Sequence, residues 1–369
     1  MRIAVNASDL DHSRIDGTRI YIQNMLKNFG PDADDRDQFL IYHKSEFNPE
    51  LAFPVFRNYK IKKLSFPLWW TQTRFGWEIF REKPDVLWMP MHSLPYLRSK
   101  KTKTVVTIHD LAFKFFPQFF PKKDLRRLNW FTDYAARHAD KLIAISRSTK
   151  KDLLEFYPHL REEKIKVIYH GYDKELFNEN ISTERIRNTL SKFKIQNSKF
   201  IIYVGAIQPR KNIETLIEAY EIIKKNFSDL KLAIAGDLGW QYGPILEKIK
   251  STEGVIYLGK FRTKDLPALL RGAEAFVLPS LYEGFGLPAV EAMACGVPVI
   301  AANNSSLGEI LRESGLLYKP NNPIELAKSL REVLENATLK NQLKERGLER
   351  VKDFSWDKCA RETLDWLKS

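Results

Sequence analysis

Along the whole chain, short apolar runs alternate with longer stretches in which apolar residues recur every three or four positions. The short runs predict strands at Arg2–Ala7, Gln38–His43, Asp85–Pro90, Thr104–Ile108, Lys141–Ile145 and Lys164–Tyr169. A second series follows at Phe200–Gly205, Lys231–Gly236, Gly254–Gly259, Ala275–Pro279 and Val297–Ala301. Runs such as Phe-Ile-Ile-Tyr-Val lack the alternation of a half-exposed strand, so these strands are expected to be covered on both faces. The longer stretches read as helices. In residues 322–334, Asn322 is placed to cap, Pro323 suits the first turn, and Leu326, Leu330 and Val333 share a face. Such alternation predicts an α/β protein with parallel sheets.

The series breaks once, in the polar stretch around 170–199, before a fresh strand at Phe200. The break divides the chain into domains 1–180 and 181–353. Two α/β halves of similar size imply a cleft between them, where ligands usually bind.

Composition narrows the class. With 44% hydrophobic and 28% charged residues, the 369-residue chain reads as globular and soluble rather than disordered. Two cysteines, Cys295 and Cys359, exclude a disulfide framework and a cysteine-based zinc site. The first ten residues carry too short an apolar run for a signal peptide, and no run approaches the roughly 20 residues of a membrane span. A cytoplasmic setting is expected. The formal charge is +13, and residues 57–127 hold 16 basic and 5 acidic side chains, a net +11, together with 14 aromatics. A basic, aromatic segment fits nucleic acid, an anionic membrane surface or an anionic ligand.

The most informative stretch is residues 278–300. A buried strand ends at Pro279, a loop carries Glu283, Gly284, Phe285 and Gly286, and Leu287 and Pro288 begin a helix that places Glu291 about one turn inside. The glycines allow close backbone approach, and the helix start offers free N–H groups to an anion. Two carboxylates from a loop and a helix start suit a ligand bearing both hydroxyls and phosphate. For Glu291, the helix dipole alone explains the residue equally well. Gly284 to Ala289 also matches a dinucleotide fingerprint, but four residues separate it from its strand and NAD is not expected.

A second constellation runs from Gly205 to Asn212. Arg210 and Lys211 follow a strand end and Pro209, placed to grip a diphosphate or to form a solvated basic pair before a surface helix. In the first half, His109 follows the strand Thr104–Ile108, and Gly17 sits in a turn before a helix. Asp9-Leu-Asp11 and Asp32-Ala-Asp34 match the short DxD pattern of metal-dependent sugar transfer, a pattern that chance often produces. Stock phosphate-loop, HExxH and GxSxG motifs are absent from the chain.

These residues together resemble the retaining glycosyltransferases of family four, with their two-domain GT-B fold. Glu283 and Glu291, separated by seven residues, look like that family's paired-glutamate motif, and Gly205–Asn212 looks like its phosphate-binding turn. Residues 107–113 and 145–153 resemble its first domain, in the form found among mannosyltransferases of envelope polysaccharides.

The resemblance implies two Rossmann-like domains across a cleft, the first for acceptor and the second for nucleotide sugar. A last helix in 354–369 would pack back on the first domain. Glu291 would bind the ribose, and Glu283 with the Gly284–Leu287 backbone would hold the donor sugar. Arg210 and Lys211 would grip the diphosphate in place of a metal. His109 would lie beside the anomeric carbon, and Gly17 and Gly205 would approach the phosphates. Two departures stand out: Ala206 where many members carry arginine, and Gly308 where other residues are usual.

The implied reaction is hexosyl transfer to a glycan or lipid-linked hydroxyl. It needs no cofactor, and GDP-mannose is the favoured donor, with a UDP-sugar as the alternative. Residues 57–127 would meet an anionic membrane, and nucleic acid is not an expected partner. A sugar-nucleotide sensor or scaffold, or a sugar-nucleotide epimerase, would keep the same architecture.

Overall fold

The computed structural model describes residues 1–13, 15–34, 36–66 and 68–369. The chain folds as two units: Met1–Phe115 with Lys122–Gly171 and Ser355–Ser369, and Phe116–Pro121 with Tyr172–Phe354. The change therefore falls at Gly171 and Tyr172, at the start of the polar stretch, rather than after residue 180.

The first unit carries seven strands: β1 (Arg2–Asn6), β2 (Gln38–His43), β3 (Tyr59–Lys63), β4 (Val86–Met89), β5 (Lys103–Ile108), β6 (Lys141–Ala144) and β7 (Ile165–Val167). Their spatial order is β3-β2-β1-β4-β5-β6-β7, and every pairing is parallel. The second carries β8 (Lys199–Val204), β9 (Leu230–Ala235), β10 (Val255–Gly259), β11 (Ala275–Leu278), β12 (Val299–Ala302) and β13 (Gly315–Tyr318), in the order β10-β9-β8-β11-β12-β13. These pairings too are parallel.

Two of the four edge strands, β3 and β13, escape the periodicity reading. β3 is lysine-rich, with Lys60 and Lys62 among its five residues, which is how an edge is kept from pairing further. β13 has only four residues.

Each sheet reverses its order once, between β1 and β4 and between β8 and β11. Loops leaving the carboxyl ends of neighbouring strands diverge at such a point and leave room for a ligand. In the second unit the two loops are Gly205–Asn212 and Pro279–Gly286, the two stretches singled out by their chemistry.

The helix Trp356–Lys368 closes the core of the first unit. Its N-cap Ser355 accepts the Lys358 N–H. Cys359, Ala360, Leu364 and Leu367 join the cluster of Met25, Leu26 and Phe29 on the helix Gly17–Asp32, and Trp88 of β4. Gly171 lets the two chain segments cross. A Cβ there would stand 2.0 Å from the Trp356 nitrogen and 2.4 Å from the Ser355 carbonyl carbon, atoms that cannot swing aside.

Gly171→Ala is therefore expected to cost about 1–3 kcal/mol and lower the midpoint of thermal unfolding by several degrees. Gly243→Ala, where a Cβ meets nothing within 4 Å, should leave it within about a degree. Scanning calorimetry of both variants checks the pair, and an unshifted Gly171→Ala would contradict the crossing.

Candidate active site

The loop after β8 is built on the backbone of its neighbour. Gly205 N–H donates to the Ala235 carbonyl at 2.9 Å, and Ile207 N–H to the Asp237 carbonyl at 2.9 Å. Tyr203, buried beneath, donates its hydroxyl to the Ala206 carbonyl at 3.1 Å. Pro209–Lys211 then form one tight turn, and Asn212, at φ 54°, starts the helix Ile213–Lys224. This turn meets the loop after β11 through the main chain, where Leu281 N–H donates to the Arg210 carbonyl at 2.9 Å.

That bond brings both cations onto Glu283. Lys211 Nζ lies 2.5 Å from Oε1, and Arg210 Nη1 lies 3.9 Å from Oε2 while donating to the Tyr282 carbonyl. Ser280 donates to Oε1 at 2.6 Å. The Glu283 main chain is held as firmly: its N–H donates to Ser305 Oγ at 2.9 Å, and its carbonyl accepts from Ser306 Oγ at 2.9 Å. Glu283 is only 8% exposed. Burial alone would raise its pKa, but Lys211 and Arg210 outweigh it and hold the carboxyl below its ordinary value. Two largely buried cations face one carboxylate, a local excess of positive charge suited to an anionic ligand.

Gly286 takes φ 91° and starts the helix Leu287–Ala294, with Pro288 in its first turn. A side chain at Gly286 would also meet Leu307 at 2.7 Å. Phe285 is buried edge-on against Phe354, with ring centroids 5.5 Å apart. Glu291 is the fifth residue of the helix and half-buried. Among the described residues its carboxyl has no hydrogen-bond or ion-pair partner. Burial, reinforced by Asp173, pushes it up to about 8. The two glutamates are thus held in opposite states at neutral pH, Glu283 ionised by its cations and Glu291 protonated.

In the first unit His109 follows β5 directly and is buried. Its Nε2 bonds the Pro90 carbonyl at 2.7 Å, and its main-chain N–H donates to His92 Nε2 at 2.7 Å. Burial lowers its pKa, so the ring is neutral. Gly17 is the first residue of its helix rather than part of the preceding turn, capped by Asp16. A Cβ at Gly17 would meet nothing within 4 Å, so no protein atom there requires glycine.

In each DxD match the second aspartate is engaged by neighbouring protein groups. Asp11 Oδ2 accepts the N–H groups of Lys44 and Ser45 at 2.8 and 2.7 Å, and Asp34 pairs with Arg36. His92, His170 and Tyr21, which gather around His109, went unread in the sequence. Their only signal is position, since both histidines follow the ends of parallel strands.

Residues 29–176 match the model of Glycosyltransferase Family 4, and residues 185–350 match that of Glycosyl transferases group 1. The chain belongs to the glycosyltransferases. This glycosyltransferase is 28% identical over 277 residues to the O-antigen chain mannosyltransferase B of Escherichia coli, across 74% of its own length and 72% of that enzyme's. It is 29% identical over 272 residues to the serotype-specific mannosyltransferase WbdA of Escherichia coli, a stretch covering 70% of this chain but only 32% of WbdA. In three dimensions it is similar to Anabaena Alr3699/HepE, solved in complex with UDP and glucose, with a TM-score of 0.77, 19% identity and both chains covered completely. The fold is GT-B.

The protonated Glu291 of the glycosyltransferase makes stability depend on pH in a definite direction. Its ordinary pKa is 4.5 and its folded value is about 8, so between these the unfolded chain has released a proton that the folded one keeps. Stability from this residue is present below the lower value and is lost as pH rises through the higher. Relative to Glu291→Gln, the wild type is expected to lose about a hundredfold or more in its folding equilibrium between pH 5 and pH 8. Urea unfolding at both pH values measures this, and a pH-independent difference between the two proteins would contradict it.

Proposed function

We propose that this glycosyltransferase moves a hexose, with mannose favoured, from a nucleotide diphosphate sugar to a glycan or lipid-linked hydroxyl, retaining the anomeric configuration. The observation that carries the reading is the convergence of Arg210 and Lys211 on Glu283, beside the helix that begins at Leu287. In this reading, the bond from the anomeric carbon to the diphosphate oxygen breaks as the acceptor oxygen bonds on the same face. The acceptor's proton passes to the departing phosphate oxygen. Arg210, Lys211 and the helix N-terminus would stabilise the charge that develops there, without a metal. Glu283 and the Gly284–Leu287 backbone would hold the sugar, Glu291 the ribose, and Gly17 and Gly205 would approach the phosphates. His109, neutral and with Nδ1 available, would stand beside the anomeric carbon.

The mannosyl group is supported by the two Escherichia coli relatives, and GDP as its carrier by the resemblance to family four. A UDP-hexose is the second reading, favoured by the UDP and glucose held by the HepE structure. Turnover and binding across a panel of sugar nucleotides separates the two, and complete absence of turnover would favour a sensor or scaffold. In Glu283→Gln, turnover is expected to fall roughly 100-fold or more while nucleotide affinity by calorimetry stays within about threefold. Wild-type turnover in that variant would remove Glu283 from the mechanism.

We further propose peripheral contact with an anionic membrane through the basic, aromatic part of the first unit. Phe113 is buried, Phe116 stacks on Phe119 and Phe120 lies against Trp240, so much of that run is committed internally, whereas Phe115 touches Phe156 but stays exposed. The most exposed apolar groups there are Leu68 (67%), Trp69 (73%), Trp77 (53%) and Trp130 (68%). Trp130 stands on the helix Lys122–His138, whose exposed residues include Lys122, Lys123, Arg126, Arg127 and Arg137. Indole rings beside cations suit the interface of an anionic bilayer. No described helix is long and apolar enough to cross a membrane.

Flotation with phosphatidylglycerol vesicles at low salt should recover the protein, with neutral vesicles recovering little. Recovery is expected to drop several-fold in Trp69→Ala/Trp130→Ala. Equal recovery with both vesicle types would count against this surface.

A further inference from the structure

The carboxyl ends of β4, β5 and β7 each deliver a histidine to one cluster. His92 and His109 lie parallel, with centroids 5.9 Å apart and planes inclined by 7°, and His170 lies 5.7 Å from His109. Tyr21 packs edge-on to His109 at 5.1 Å and stacks on His170 at 4.8 Å.

The hydrogen bonds fix the proton positions. A carbonyl only accepts, so His109 Nε2 carries its proton toward Pro90, and Nδ1 keeps its lone pair. A main-chain N–H only donates, so His92 Nε2 is the bare nitrogen of that ring. Its Nδ1 proton faces Thr132 Oγ1 at 3.4 Å, on the buried side of the helix Lys122–His138. Burial, and then repulsion from His109, pushes His92 down to about 4, so the bare nitrogen persists through the neutral range. Among the described residues, no hydrogen bond uses His109 Nδ1.

We propose that His92 is a positioning residue: by accepting the His109 main-chain N–H at the end of β5, it fixes the direction in which the His109 ring presents its free nitrogen. The proposal rests on the role given above to His109 in sugar transfer. Its physical basis is that a backbone N–H in a buried turn must find an acceptor, and the acceptor's place then sets the turn. His92 is itself held by Thr132, so strand end, loop and helix share one chain of bonds.

One arm of the test needs no sugar donor. In protein labelled with ¹⁵N-histidine, the His109 amide signal is the one lost in His109→Ala. Its hydrogen exchange is expected to accelerate roughly tenfold or more in His92→Leu and to stay within about threefold of wild type in His92→Gln. The glutamine Oε1 can reach the place of Nε2, and His92→Phe repeats the comparison should the leucine variant not fold.

In turnover, His92→Leu should lower kcat roughly tenfold while the donor KM changes less than about twofold, and His92→Gln should restore kcat. Added to His109→Ala, His92→Leu should cost nothing more. Unchanged exchange at His109 in His92→Leu, or a second full loss in the His109→Ala background, overturns the proposal. Wild-type turnover in His109→Ala would instead overturn the role of His109, and the exchange arm would still report on the bond itself.

Discussion

A nearly dry carboxylate stays ionised in this protein because two cations arrive from a different loop. Glu283 lies after β11, while Arg210 and Lys211 lie after β8, and the hydrogen bond between Leu281 and Arg210 holds the two loops in register. Removing one partner from such a group strands the other charges in a low-dielectric surround, which costs far more than the net worth of the pairing. The pairing therefore acts less as a source of stability than as a constraint on geometry. Ser280, Ser305 and Ser306 add the remaining bonds, so neither the carboxylate nor its backbone has room to drift. The left-handed Gly286, the helix behind it and the buried Phe285 follow from the same fixed loop.

The architecture was readable because a parallel sheet covered on both faces leaves unbroken apolar runs. Eleven predicted strands lie at observed ones, and the Asn322 cap and the buried face of Leu326, Leu330 and Val333 are present in the helix Pro323–Glu335. Two edge strands were not readable, since β3 is half solvated and rich in lysine, and β13 is too short to set a period. The domain change came out nine residues late because the eye follows the polar run, whereas the chain leaves the first unit as soon as it has passed Gly171.

The site was legible where chemistry sits close together in sequence. Glu283, Gly286 and Glu291 share one short stretch, and Arg210 and Lys211 another. The mutual neutralisation of the two stretches was not legible, because it depends on the reversal of strand order between β8 and β11. Nor could the spacing of the glutamates reveal that one is ionised and the other protonated, a difference made by neighbours distant in sequence. His92 and His170 were invisible for the same reason: each is a lone histidine, and only the sheet assembles them around His109.

The crossing of Gly171 and Trp356 makes the second unit an insertion within the first. Cys359, Leu364 and Leu367 fill the same core as Met25 and Phe29, more than 300 residues earlier in the sequence. Long-range closure of this kind is slow to find, and apolar surface stays open until it is found. During synthesis, the helix Gly17–Asp32 must wait with part of its apolar face uncovered while the whole inserted unit is made. Apart from Phe116–Pro121, which is made earlier, the inserted unit is the continuous stretch Tyr172–Phe354 and can condense first. The core of the first unit is then the last to be completed, because its closing helix is made last.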